Sequence, residues 1–257
     1  MTVTVLLENS ACREDLISQH GLSLYIETKG KKILFDMGQD DTFAKNAEAL
    51  GIDLSQVDLA VISHGHYDHG GGLATFLKIN AKAPVYIHEV AFDRYYNGTQ
   101  KYIGLDCGLQ NHPRLIYTKG AVTISPNILL TDCNDLGWIS DSFGLKRAEG
   151  ECLQDDEFLH EQYLQIKEGQ KRILISGCSH KGIVNIAGYF SPDVLIGGFH
   201  LNKVEEPEKL RQIAKSLIAA NTKYYTGHCT GTTQFEMMKQ IMGTALCNLS
   251  TGTVIEI

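Results

Sequence analysis

The stretch Ser63-His64-Gly65-His66-Tyr67-Asp68-His69-Gly70-Gly71-Gly72 puts three imidazoles and a carboxylate within six positions. Side chains alternate along an extended backbone, so His64 and His66 point the same way and can grip one divalent ion. Asp68 and His69 follow where the chain turns and can hold a second ion beside the first. Imidazole with carboxylate suits zinc, iron or manganese better than calcium or magnesium. A histidine-rich surface loop would account for one of these residues easily, but hardly for three and an aspartate. The spacing predicts a site for two divalent ions, with zinc the first expectation and iron or manganese the alternatives.

The flanking residues say what holds this loop. Val57-Asp58-Leu59-Ala60-Val61-Ile62 reads as a buried strand, and Leu73 to Leu77 reads as a helix, so the cluster lies where a strand gives way to a helix. Further strands are expected at Thr2 to Leu7, Leu22 to Thr28, Lys31 to Phe35 and Pro84 to His88, with a turn at Lys29-Gly30-Lys31. Thr42 to Leu50 has helical spacing and stops at Gly51. In the second half, strands are expected at Glu161 to Lys167, Lys171 to Ser176, Asp193 to Ile196, Lys223 to Thr226 and Thr251 to Ile257. Helices are expected from about Gly182, over Pro207 to Ala220, and over Thr232 to Met242. Leu210, Ile213, Ala214, Leu217 and Ile218 make one apolar stripe on the second of these.

From about 92 to 156 the rhythm weakens into Gly, Asn, Asp and Tyr, with short strands at Ala121 to Ile124 and Asn127 to Thr131. Such a stretch reads as an insertion covering the site. The whole pattern predicts one α/β domain over 1–257, a four-layer α/β/β/α sandwich of two sheets with helices outside.

Three more places share one form, an apolar strand that runs into a potential ligand. Lys171 to Ser176 leads to Gly177-Cys178-Ser179-His180, Asp193 to Ile196 to Gly197-Gly198-Phe199-His200, and Lys223 to Thr226 to Gly227-His228-Cys229. Rigid strands fix ligand geometry better than loops do. Ser179-His180-Lys181-Gly182 also opens a helix, whose amino end together with Lys181 offers a phosphate seat. His200 reads either as a core histidine or as a substrate-facing acid.

Composition narrows the class of protein. The 257 residues are 43% hydrophobic, enough for a substantial core. Net charge is −7 with no basic run, which argues against nucleic acid as the main partner. No apolar run approaches the roughly 20 residues that span a bilayer. The first residues read as a strand and not as a signal peptide, so the expectation is a soluble cytoplasmic protein. The seven cysteines are scattered without a Cys-x-x-Cys pair, which argues against a disulfide framework. Oligomeric state is left open.

The run His64, His66, Asp68 and His69 resembles the His-x-His-x-Asp-His hallmark of the metallo-β-lactamase superfamily, and the resemblance covers nearly the whole chain. Phe35-Asp36-Met37-Gly38 resembles the segment that precedes that motif, and Thr226-Gly227-His228 its last histidine motif. The resemblance implies that His160 is a third histidine ligand and that His228 is a ligand. It implies an orienting role for Asp36. It also puts Ser176-Gly177-Cys178 where a Gly-Asp would supply a bridging carboxylate. The bridge would then be Cys178; on the other reading His180 is the ligand and Cys178 a bystander. Leu7-Glu8-Asn9-Ser10, Gly177 to Ile186, Gly197 to Leu201 and His228-Cys229-Thr230-Gly231 resemble one branch. That branch is named for an archaeal synthase of the methanopterin pathway, which joins a dihydropterin to an aminobenzene ribofuranosyl phosphate.

The expected function is a metal-dependent hydrolase with a dinuclear centre. Metals lower the pKa of bound water from 15.7 toward about 7 and so supply hydroxide at neutral pH. Asp68 would orient the nucleophile, and His180 or His200 would protonate the leaving group or steady the oxyanion. The expected substrate is a small molecule, a phosphoester first and otherwise pterin-like. Two rivals stand beside this. One is a pterin–arylamine condensing synthase. The other is a non-catalytic metal-binding or redox-sensing protein with Cys178 and Cys229 as responsive thiols.

Overall fold

The computed structural model describes residues 1–138 and 141–257. They form two compact units, Met1–Lys119 with Gly144–Glu161 and Ser250–Ile257, and Gly120–Phe143 with Gln162–Leu249. In chain order the elements begin with strands β1 (Thr2–Leu7), β2 (Ser23–Thr28) and β3 (Lys31–Phe35), helix α1 (Thr42–Ala49) and strand β4 (Leu59–Val61). The single turn α2 (Tyr67–Gly70), helix α3 (Leu73–Ile79) and strands β5 (Val85–His88), β6 (Tyr95–Asn97), β7 (Lys101–Tyr102) and β8 (Leu115–Thr118) follow. Next come β9 (Ala121–Ser125), β10 (Ile128–Thr131), β11 (Leu145–Glu149), β12 (Cys152–Asp155), β13 (Tyr163–Glu168) and β14 (Lys171–Ile175). The chain continues with α4 (Ile183–Phe190), β15 (Val194–Ile196), α5 (Pro207–Ala219), β16 (Lys223–Thr226), α6 (Thr232–Met242), β17 (Leu246–Asn248) and β18 (Val254–Glu256).

In the first unit the sheet runs β18-β1-β2-β3-β4-β5-β8. Pairing is antiparallel from β18 to β3 and parallel from β3 to β8. Parallel strands are covered on both faces, which is why β4 is apolar and buried at every position. The core holds Leu6, Leu34, Phe43, Ile62, Phe76 and Val85. The Asn46 amide on α1 donates to the carbonyls of Leu6 and Ile17, each at 2.8 Å, and so ties the helix to the chain around β1. A second, antiparallel sheet runs β12-β11-β6-β7.

In the second unit the sheet runs β17-β16-β15-β14-β13-β10-β9. Its β14, β15, β16 and β17 are parallel and the rest antiparallel. Helices α4, α5 and α6 contribute Ile186, Leu210, Ala214, Leu217 and Met238 to its core.

Most elements lie where the sequence puts them, and the differences have physical causes. The stretch 92–156, read as largely irregular, carries β6, β7, β8, β11 and β12 as well as the two expected strands; its residues 139–140 lie outside the described residues. Strands such as β11 (Leu-Lys-Arg-Ala-Glu), half-buried, and β12 (Cys-Leu-Gln-Asp), mostly exposed, are polar and leave no apolar alternation to read. The final strand is shorter than expected because Gly252 adopts a left-handed φ of 91° just ahead of it. On α5 the buried stripe is Leu210, Ala214 and Leu217, whereas Ile218 is 41% exposed. At 100° per residue Ile218 stands about 80° from Leu210, at the edge of the buried face.

These two positions make a paired test. Leu217→Ala should cost about 2–5 kcal/mol in urea unfolding, the range for emptying a packed leucine site. Ile218→Ala should stay within about 0.5–1 kcal/mol of the parent, as partly exposed helix positions do.

Candidate metal centre and the strand-end histidines

In the first unit, β3 and β4 are parallel with Phe35 opposite Val61, so the residues that follow them emerge side by side. Asp36 follows β3 directly, and Ser63 comes two residues after β4. Asp36 takes a left-handed φ of 60°, which a non-glycine residue rarely adopts. Its Oδ1 accepts the Ser63 N–H at 2.7 Å, and its Oδ2 accepts the Ser63 hydroxyl at 2.7 Å. The same Oδ2 lies 2.7 Å from His69 Nδ1. Ser63 Oγ also lies 2.8 Å from His64 Nδ1.

The directions of these bonds follow from what each group can give. A carboxylate only accepts, so His69 Nδ1 carries the proton. The Ser63 hydroxyl hydrogen goes to Asp36, so His64 Nδ1 must donate to Ser63 Oγ. Both imidazoles are therefore fixed with Nε2 as the lone-pair nitrogen, the arrangement usual for metal-ligating histidines.

The rings gather closely. The His64 centroid lies 4.6 Å from that of His66 and 4.2 Å from that of His69. Asp68 Oδ2 is 3.8 Å from His69 Nε2 and 3.2 Å from His20 Nε2. His64, His66 and His69 are buried, which suits ligation of an ion held away from bulk water. The one-turn helix α2 carries Asp68 and His69, with His66 at its amino end. Gly65 lets the loop close, because a Cβ there would lie 2.2 Å from the Ala91 carbonyl oxygen.

His160 is buried in the same unit, but both its nitrogens are engaged by the protein. Nδ1 accepts the Gly65 N–H at 2.8 Å, so Nε2 carries the proton toward Asp156 Oδ2 at 3.0 Å. Tyr95 covers its ring at 4.0 Å between centroids. Asp156 Oδ2 also stands 4.0 Å from His66 Nε2. Burial drives the His66 imidazole down to about 3, and Asp68 and Asp156 act against it. The neutral form that results is the form a metal needs. Burial alone would raise Asp156, but hydrogen bonds from His160 and the Phe158 N–H help hold it below the usual carboxylate range.

In the second unit, β14, β15 and β16 deliver Cys178, His180, His200, His228 and Cys229 to one edge of their sheet. Ser179, His200 and His228 take left-handed φ values of 58°, 50° and 47°. The rings of His180 and His200 lie 4.2 Å apart. Burial acts to raise the Cys229 thiol, but hydrogen bonds with Cys178 and His200 and the charges of His228 and His200 outweigh it and hold it well below the ordinary thiol range. Lys181 departs from the expected phosphate seat. It is buried, and its ammonium donates to the Asp132 carbonyl at 2.5 Å and to Asn134 Oδ1 at 2.6 Å.

The family model described as the metallo-β-lactamase superfamily matches residues 19–130. An uncharacterized protein of Methanocaldococcus jannaschii is 31% identical over 253 residues, which is 93% of this chain and 94% of that protein. The chain belongs to the metallo-β-lactamase superfamily. A second protein of that organism, 7,8-dihydropterin-6-methyl-4-(β-D-ribofuranosyl)-aminobenzene-5'-phosphate synthase, is 31% identical over 244 residues, 83% of this chain and 82% of that one. Among solved structures, Tm1679, a metal-dependent hydrolase of the β-lactamase superfamily, has a TM-score of 0.87 at 28% identity and covers 100% of this chain and 99% of its own. The α/β class, the metallo-β-lactamase fold and the branch read from the sequence are borne out. The superfamily fold implies divalent-metal binding, and most of its members are enzymes. Among the described residues no helix is long and apolar enough to cross a membrane.

Three residues around this superfamily motif escaped the sequence reading. Ser63 relays Asp36 to His64, Asp156 engages His160, and His20 reaches Asp68. Only Asp156 had a sequence signal, its position four residues before His160.

Two outcomes follow. Asp36→Asn should lower metal affinity about 10–100-fold in competition with a chromogenic chelator, because the amide cannot accept from both Ser63 and His69 while holding both tautomers. The second concerns acid. The folded His66 value lies below the 6.5 of the unfolded chain. As pH falls from about 6.5 toward about 3, unfolded chains take up a proton that folded His66 refuses, so stability is lost across that window. The chelated protein should lose up to about 1.4 kcal/mol per pH unit from this residue, read by urea midpoints at successive pH values. His66→Gln should flatten that slope; an unchanged slope would place its origin elsewhere.

Proposed function

We propose that this chain is a metal-dependent hydrolase with a dinuclear zinc centre, acting on a phosphoester of a small molecule. Its first-unit ligands are His64, His66, Asp68 and His69. The observation that carries the reading is the Asp36 carboxylate, 2.7 Å from His69 Nδ1 and 2.7 Å from Ser63 Oγ, which presents two imidazoles by the same nitrogen. The second unit has its own candidate donors, Cys178 and His228, and none of the steps below draws on them.

A divalent ion, when bound, supplies Lewis acidity and lowers the pKa of water. The chain's own residues do the rest. Asp36 and Ser63 keep protons on His64 Nδ1 and His69 Nδ1, so neither ring can turn without breaking a buried hydrogen bond. His20, at 3.2 Å, can hold a proton against Asp68 Oδ2 or pass one from solvent, since its side chain is half exposed. His160 stands with His66 and Asp156 in a group whose donor atoms lie within 4.8 Å of one another, so it stays among the candidate ligands and also positions the loop. It fixes the Gly65 peptide between two ligands through a bond to its N–H. The phosphoester preference comes from the sequence pattern Ser179-His180-Lys181-Gly182, although Lys181 itself is held by Asp132 and Asn134.

A second reading is a synthase, favoured by 31% identity to the protein named as a pterin–aminobenzene synthase. It uses the same ligands with an amine in place of water as nucleophile. Metal-loaded protein should be screened against phosphomonoesters, phosphodiesters, lactones and thioesters, and against a dihydropterin pyrophosphate with an arylamine. The hydrolase reading expects phosphoester turnover that a chelator abolishes and that His66→Ala reduces more than about 100-fold. Condensation without hydrolysis would replace it with the synthase. Full activity in His66→Ala would sink both.

A further inference from the structure

The three parallel strands β14, β15 and β16 are neighbours, so their carboxyl ends share one edge of the second unit's sheet. Just beyond those ends stand Cys178, His200 and Cys229. The connecting loops are stitched together by backbone bonds. Ser176 N–H donates to the Ile196 carbonyl at 2.9 Å, Gly198 N–H to that of Gly177 at 2.8 Å, and Leu201 N–H to that of Cys229 at 3.1 Å. The closeness depends on Gly198, where a Cβ would lie 2.4 Å from Cys229 Sγ. Any larger residue there would drive the sulfur out of its place.

The two sulfurs and a ring nitrogen of His200 all lie within 4.8 Å of one another. Cys178 is 3% exposed and Cys229 4%. Both ring nitrogens of His200 are buried and have no hydrogen-bond partner among the described residues. Buried polar atoms are almost always satisfied, so an imidazole in this state calls for a ligand. The backbone around it is strained as well, with His200 in the left-handed region at φ 50°. Strain of that kind persists where the surrounding structure holds a residue for a task. The His200 N–H donates to Cys229 Sγ at 3.3 Å, the kind of backbone hydrogen bond that tunes metal-bound sulfur.

We propose that Cys178, His200 and Cys229 form a thiophilic metal site of the second unit, with zinc as its ion. Two thiolates and an imidazole are a soft donor set, unlike the imidazole–carboxylate set of the first unit. Three protein ligands leave the fourth position of a tetrahedral zinc open. A cavity of about 190 Å³, lined by His200 with Phe143, Ile183, Phe199, Leu201 and Val204, lies beside this histidine and has room for a small ligand. The site assigns Cys178 a role that needs no bridging carboxylate analogue. It stands whether or not the proposed hydrolase reading holds.

The test uses the full chain. Zinc-edge X-ray absorption of the zinc-loaded wild type should show sulfur scatterers at about 2.3 Å, and their absence would overturn the site without any variant. Cobalt(II) titration of the chelated protein should give a thiolate-to-cobalt charge-transfer band. Cys229→Ser and Cys178→Ser should each reduce that band by half or more, and His200→Ala should weaken cobalt binding at least tenfold. His66→Ala should leave the band in place while abolishing any hydrolysis, which separates failure of this site from failure of the catalytic reading. A band that needs Cys178 but survives Cys229→Ser would overturn the proposal, since the sulfur would then belong to another set of ligands.

Discussion

Two of the imidazoles the first unit presents to a metal, His64 and His69, depend on one buried carboxylate. Asp36 accepts a backbone N–H and a hydroxyl from Ser63 and stands against His69 Nδ1, all at 2.7 Å. It can do so only because β3 and β4 run parallel and in register, which brings residue 36 to residue 63. Its own N–H is held by the Val61 carbonyl at 2.9 Å. A buried carboxylate is costly unless its oxygens are satisfied, and removing one partner would leave a penalty of about 1–3 kcal/mol or more. The same bonds that offset that cost also choose the tautomers of His64 and His69. Fold stability and ligand geometry are thus held by one set of contacts, and neither can be altered without the other.

The parts of this arrangement legible in the sequence are those encoded over short distances. His64, His66, Asp68 and His69 lie in one loop, so their spacing alone carries the metal argument. The buried parallel strands were legible for the same local reason, since β4 and β15 are short runs of apolar residues. Roles that depend on distant partners were not. Nothing near His160 indicates that its Nδ1 will face Gly65, 95 positions away. Lys181 looks like an anion ligand beside a helix start, yet it is buried against Asp132 and Asn134, where its ammonium finds its own acceptors. His20 looks like an ordinary surface histidine, and its proximity to Asp68 is set by the chain passing beside α2. Strands β11 and β12 were hidden because a polar hairpin leaves no apolar alternation to read.

The second unit repeats the same solution with other residues. Parallel strands end in sharp turns, and Ser179, His200 and His228 all occupy left-handed conformations there. Each such residue costs on the order of 1–3 kcal/mol. A chain could relieve the cost with glycine or asparagine at these points, and it does use glycine close by, at Gly177, Gly198 and Gly227. Keeping histidine at the strained positions means that the side chain, and not the turn, is what those positions hold in place.

Hydrolysis and condensation make the same demand on the Asp36 network, because both need oriented imidazoles and neither needs a particular leaving group in the first unit. The Asp36 network by itself therefore does not choose between the two. In the second unit the cavity beside His180 and His200 has mostly apolar walls, with Lys209 and Asp141 among its polar lining residues. Apolar walls with a few placed polar groups are what select a small ligand, and they do so without changing the reacting atoms. A change at Asp36 would remove an orientation that either proposed reaction would need, so it cannot tell the two apart.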